Sequence, residues 1–244
     1  MTAPVGRRSV CPVAMNPDQR RVVWLAVFAL VTLALWRTPV LFPLRCFVVL
    51  VHEAGHALAA LATGAEVVRL VVNPDESGHV VYRGGSVIIT ASAGYVGSSL
   101  LGAGLLALTP RPTWHRGAVA ALGVLLVALT ALYVPFSNPF GAILGLLWGF
   151  GLLHVGIKGY AWLPQGVAGL AVMLCIYAIY DFADFLLGDA SQTDAGILAS
   201  ALGLPFLAMP IGLFWVALSL WMMGRGARIA FRGVFAPAPA KPRR

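Results

Sequence analysis

Long apolar runs broken by short polar segments dominate the chain. They cover Val22–Trp36, Pro43–Thr63, Ser86–Leu108, Gly117–Val134, Phe140–Ile157, Trp162–Leu187 and Pro205–Met223. Apart from the first, each approaches or exceeds the ~20 residues that a helix needs to cross a hydrocarbon core. Val22–Trp36 is shorter, about 22 Å as a helix, and reads as a thin span or an interfacial helix. One segment breaks the pattern. Val67, Val68, Leu70, Val71 and Val72 precede the turn cluster Asn73-Pro74-Asp75-Glu76-Ser77-Gly78, and Val80, Val81 and Tyr82 follow it. Two β-branched runs around such a turn predict a β-hairpin. The expected fold is therefore an all-α polytopic membrane protein with six or seven transmembrane helices and a short β-hairpin insert after the second run. Residues 22–223 form its membrane-embedded domain. Residues 1–21, with Pro4, Pro12 and Pro17, read as a basic, disordered tail, and 224–244 as a basic, proline-rich one.

Composition strengthens this reading. The chain is 59% hydrophobic and 11% charged, where soluble domains carry about 25% charged residues. The net charge of +8 gathers at the ends, with Arg7, Arg8, Arg20 and Arg21 before the first run and Arg225, Arg228, Arg232, Lys241, Arg243 and Arg244 after the last. Basic tails beside a membrane meet anionic headgroups. Aromatics are not interleaved with these charges, so a nucleic-acid partner is not expected. Cys11, Cys46 and Cys175 have no metal-ligand spacing and imply no disulfide framework. No small-x-small cleavage pattern follows the first run, so it is expected to stay in the chain. The expected location is the cell membrane, as a multi-pass protein.

The candidate chemistry lies inside the second run, at His52-Glu53-Ala54-Gly55-His56. Histidines four apart lie on one helix face, so both rings reach one metal ion. Glu53 is close enough to touch a water on that ion. Two neutral imidazoles and a carboxylate base are the ingredients of a zinc hydrolase. Shuffling this composition would produce the motif in roughly one chain in a thousand, so chance is a poor explanation. A third ligand is needed. Asp181 and Asp184, three apart with Tyr177 on the same face, sit near the end of the Trp162–Leu187 run. A carboxylate inside a span costs about 2.5–3.5 kcal/mol on insertion scales, and a metal would offset this. His56 and Asp181 are each about six residues from the end of their helices, and three runs separate them, so both helices end at one membrane face. Asp181 is the preferred ligand and Asp184 the alternative.

Other polar residues read more plainly. His79 and His115 are expected at the surface, and Asn138 as a turn residue. His154 ranks below the motif pair because it has no partner in sequence. Thr193-Asp194-Ala195 reads as a helix start. Gly94, Ser98 and Gly102 form a small-residue stripe expected to press against the helix carrying His52.

Around these residues the chain resembles the site-2-protease group of intramembrane zinc metallopeptidases, and among them the compact M50B-like peptidases. The likeness runs over roughly residues 40–225. It rests on His52–His56, Thr63-Gly64, Gly84-Gly85, Ala93–Ser98, Tyr180–Asp184 and Thr193–Ala195. The resemblance implies zinc bound by His52, His56 and a later aspartate, with Glu53 activating water, and transmembrane protein segments as substrates. The usual Asn-x-x-Pro…Leu-Asp-Gly form of the late motif is absent, which leaves Asp181 and Asp184 both open. The competing reading is an inactive membrane scaffold that keeps the metal site. The positive-inside rule would put the site nearer the outer face, whereas relatives in the group place it nearer the cytoplasm.

Overall fold

The computed structural model describes residues 17–187 and 193–232, with the side chains of 17, 18, 21 and 178–187 outside the description. Within it the chain forms α1 (Pro17–Leu35), α2 (Phe42–Ala62), β1 (Glu66–Val72), β2 (Gly78–Arg83), α3 (Val87–Leu108), α4 (Pro112–Tyr133), α5 (Pro139–Lys158), α6 (Leu163–Leu187), α7 (Asp194–Ala201) and α8 (Ala208–Ala230). Prolines in the first turn start α2, α4 and α5, where a missing N–H removes no helix bond. Gly159, left-handed at φ 67°, ends α5. α1 begins within the expected N-terminal tail and α8 runs seven residues past Met223.

Among the described residues, five segments are long and apolar enough to cross a membrane: Pro39–Ala62, Val87–Leu108, Pro112–Tyr133, Pro139–Lys158 and Pro205–Ala230. Val22–Leu35 and Leu163–Tyr177 are shorter apolar helical segments. The expected polytopic helical fold is thus present, with the β-hairpin after the motif helix. α2 is its centre. Of its span 67% is buried, against 22–44% for the other four. Lipid supplies no hydrophobic drive between helices, so close packing must hold them. The α4–α5 seam shows how. A Cβ at Gly123 would lie 2.5 Å from Leu153 N, and one at Gly149 would lie 2.9 Å from Val127 N. Backbones meet there because neither glycine has a side chain.

The expected α2–α3 stripe divides between two neighbours. Gly94 faces α2, whereas a Cβ at Gly102 would meet Leu174 and Cys175 of α6. Gly55 supplies the matching close contact from α2, its would-be Cβ 2.6 Å from Ala93 O.

The hairpin is antiparallel, pairing Glu66 with Arg83 and Val72 with Gly78, with a register shift between Val67 and Arg69. Val67, Leu70 and Val72 are buried. It folds back along α2. At its base Ser86 N donates to Thr63 Oγ1 at 3.2 Å. At its tip Glu76 receives two hydrogen bonds from Arg45, Nε to Oε2 at 2.7 Å and Nη2 to Oε1 at 2.6 Å. Thr63 and Arg45 are about 27 Å apart along a helix, close to the ~23 Å reach of a seven-residue strand. Arg45 also donates to the carbonyls of Trp36 and Thr38, tying the α1–α2 connection to the same clamp. Glu76 itself sits at φ 66°, a left-handed conformation that a glutamate rarely takes. Next to it, hydrogen bonds from the Ser77 hydroxyl and amide hold the Asp75 carboxyl below its usual range. Asn138 Nδ2 donates to Val72 O at 3.1 Å and fastens β1 to the start of α5.

Arg45→Gln removes the paired bonds at the hairpin tip. Charge-assisted hydrogen bonds contribute about 1.5–3 kcal/mol, so backbone hydrogen exchange over residues 72–80 should quicken about tenfold or more. Exchange in the α4–α5 seam should stay unchanged, as read by mass spectrometry.

Candidate metal centre

α2 runs without a breaker through its most buried stretch, so His52, Glu53 and His56 are all held by regular helix geometry. Their exposures are 8%, 5% and 7%. The two Nε2 atoms lie 3.1 Å apart. A third donor comes from outside the long helices. Asp194 opens α7, and its Oδ2 lies 3.0 Å from His52 Nε2 and 3.1 Å from His56 Nε2. Thr193 caps α7, its hydroxyl accepting from Gly196 N at 3.2 Å. Ala195 and Leu198 then pack against Ala91 of α3 and Trp215 of α8, which sets where Asp194 points.

The tautomer of His56 follows from its other nitrogen. Nδ1 faces Thr90 O at 2.6 Å. A carbonyl only accepts, so Nδ1 carries a proton, and in the neutral ring Nε2 turns a lone pair inward. That lone pair meets a carboxylate oxygen and a second imidazole nitrogen at hydrogen-bond distance. Three such atoms gather comfortably around a cation. Zinc bonds of about 2.1 Å in a tetrahedron place ligand atoms roughly 3.4 Å apart, a little wider than the triangle here. His52, His56 and Asp194 are the one group of this kind among the described residues.

Gly94 of α3 supplies the space. A Cβ there would fall 2.3 Å from His52 Nε2 and 2.4 Å from His56 Nε2. Those are close to metal–nitrogen bond lengths, so the volume a methyl would take is the volume the ion needs. Tyr95 lies edge-on to His52 at 5.3 Å between ring centres and leans on Trp215, 5.8 Å away. Tyr177 approaches His52 at 6.4 Å. Glu53 faces the hairpin instead. A Cβ at Gly78 would lie 2.7 Å from both Cγ and Oε1 of Glu53. The site is thus walled by α3 on the histidine side and by β2 on the glutamate side.

The other candidates lie elsewhere. Asp181 and Asp184, the expected third ligands, fall in the part of α6 whose side chains are outside the described residues. The carboxylate that the described structure brings to the histidines is Asp194, which the sequence marks as a helix start and as part of the family resemblance but not as a ligand. Its clues are the cap and that resemblance, in the polar stretch before the last span. His79 is exposed on β2. His115 is fully buried, contrary to expectation, with Nε2 2.9 Å from Leu108 O at the C-terminal end of α3. His154 is exposed and meets the Tyr160 hydroxyl at 3.0 Å.

A family model described as Peptidase M50B-like matches residues 25–226. No curated protein and no solved structure gives a match.

Gly94→Ala places a methyl where the ion would sit while leaving every ligand in the chain. The purified variant should carry less than about a tenth of the wild-type zinc by elemental analysis, with its helical circular dichroism retained.

Proposed function

The chain belongs to the Peptidase M50B-like family, and we propose that it is a zinc-dependent endopeptidase that cuts peptide bonds in or near transmembrane segments. The observation that supports this most is the convergence of His52 Nε2, His56 Nε2 and Asp194 Oδ2 within 3.1 Å of one another. They meet beside a buried glutamate and inside a bundle of apolar helices. In this reading those three residues hold zinc, which when bound supplies a Lewis acid and a water whose pKa falls towards about 7.

Each remaining role falls to the chain itself. Thr90 O keeps His56 in the tautomer that ligates. Gly94 keeps the ion's volume open. Glu53 takes a proton from the attacking water and returns it to the leaving nitrogen. β2 holds Glu53 in place, since the Gly78 backbone abuts its carboxyl group.

A transmembrane substrate must be unwound before its peptide carbonyls are exposed. The two-stranded sheet leaves one edge of each strand outside the ladder. A substrate segment added to the β2 edge would be held extended beside Glu53. The protein would act within the membrane on proteins that cross it, with anionic lipids about its basic ends.

Two substitutions separate chemistry from metal binding. Glu53→Gln should lower cleavage of a reconstituted transmembrane reporter by at least ~10²-fold with zinc content unchanged. A variant that still cuts would remove the mechanism. Asp194→Ala should lose both zinc and cleavage, whereas Asp181→Ala and Asp184→Ala should keep zinc. Retention of zinc by Asp194→Ala, with loss in Asp181→Ala, would move the third ligand to α6.

A further inference from the structure

Apart from the metal centre, a cavity of about 720 Å³ opens among α1, α2, α4, α5 and α6. Pockets of 300–1,000 Å³ are of the size that encloses small-molecule ligands. None of its lining residues belongs to the metal centre. Gln165 is the one amide in a lining otherwise apolar or aromatic. An α-helix with side chains is about 10 Å across. Such a helix would fill this volume in about two turns, so the cavity is too small for a substrate span and suits a flexible chain.

One end of the cavity is marked by aromatics. Trp24 and Trp162 line it there and remain 40% and 54% exposed. Trp24 stacks on Phe28 and Trp162 on Tyr160. Tryptophans of this kind mark the level of lipid headgroups. Cations stand at the same end. Arg20 lies one turn before Trp24 on α1, and Lys158 closes α5 four residues before Trp162; both are exposed. Arg116 joins them, its guanidinium against the carbonyls of Gly156 and Ile157. No acidic residue occurs between Ser77 and Tyr180, and Asp18 is the one acid in the chain before Glu53. Arg20, Lys158 and Arg116 thus each stand about one helical turn from a lining residue, Trp24, Val155 and Val119, of an otherwise apolar cavity.

We propose that this cavity is a binding site for one anionic glycerophospholipid. An acyl chain fills the space between α1 and α5–α6, and the phosphate lies against Arg20 and Lys158. The site is independent of the peptidase reading, since no part of it touches His52, Glu53 or His56.

The full-length protein in detergent, incubated with phosphatidylglycerol or with phosphatidylcholine of the same chains, tests this by native mass spectrometry. One phosphatidylglycerol should be retained per protein, at least tenfold in preference to phosphatidylcholine. Gly151 lines the cavity and a Cβ there would meet nothing within 4 Å. Gly151→Phe should therefore fill it and abolish retention of both lipids while the helical circular dichroism of the folded protein persists. Arg20→Gln with Lys158→Gln should lower retained phosphatidylglycerol to the level of phosphatidylcholine. Equal retention of the two lipids by the wild type would overturn the proposal. So would retention unaffected by Gly151→Phe, or by the double substitution should Gly151→Phe fail to fold.

Discussion

Three electron-rich atoms held within about 3 Å of each other, deep in an apolar bundle, are the constraint on which this molecule is built. With no proton or cation among them, two imidazole lone pairs and a carboxylate oxygen would repel, and the carboxylate would lose hydration worth several kcal/mol. A cation between them reverses the sign of both effects. The surrounding structure serves that point. α2 is the most enclosed helix because it carries the histidines. α3 approaches it through Gly55, whose would-be Cβ meets the backbone of Ala93, and through Gly94, whose would-be Cβ meets both histidine Nε2 atoms. α7 is short and capped so that its first residue can be delivered there.

The same crowding explains the hairpin. A strand pair after a membrane helix could have stood in solvent, but this one turns back along α2 and ends on Arg45. Its apolar residues gain burial, and its tip gains a charge-assisted pair that a left-handed Glu76 makes possible. The consequence reaches Glu53. The strand's first residue is a glycine, and its bare backbone is the wall against which the carboxyl group rests. In the proposed reaction the base needs a fixed position, and a hydrogen-bonded strand provides that more firmly than lipid or a loop.

Small residues carry the rest of the assembly. Hydrocarbon outside the protein is as apolar as leucine within it, so helices associate where backbones can interlock. The α4–α5 seam does this with Gly123 and Gly149, and α3 does it on two sides at once, towards α2 with Gly94 and towards α6 with Gly102. The apolar cavity beside α1 is what remains where interlocking stops, and its cationic rim gives that gap a chemistry of its own.

The order of the long helices, the hairpin and the paired histidines with their glutamate could all be read from the chain, because each depends on spacing within one element. Hydropathy period, proline starts and the four-residue histidine interval are local quantities. What joined them was not local. Asp194 lies 138 residues beyond His56 on a helix of eight residues, too short for any hydropathy pattern to mark. Its carboxylate reaches the histidines only through the packing of α7 against α3 and α8. His115 likewise reads as a loop residue until the end of α3 folds over it. The folding back of the hairpin needed Arg45 and Glu76 to meet across 31 residues. Sequence by itself determined which residues had the chemistry to bind a metal and move a proton. The tertiary structure alone decided that the Asp194 carboxylate meets the histidine pair and which surfaces enclose them, because such contacts arise from packing between elements, and no periodicity within an element encodes that packing.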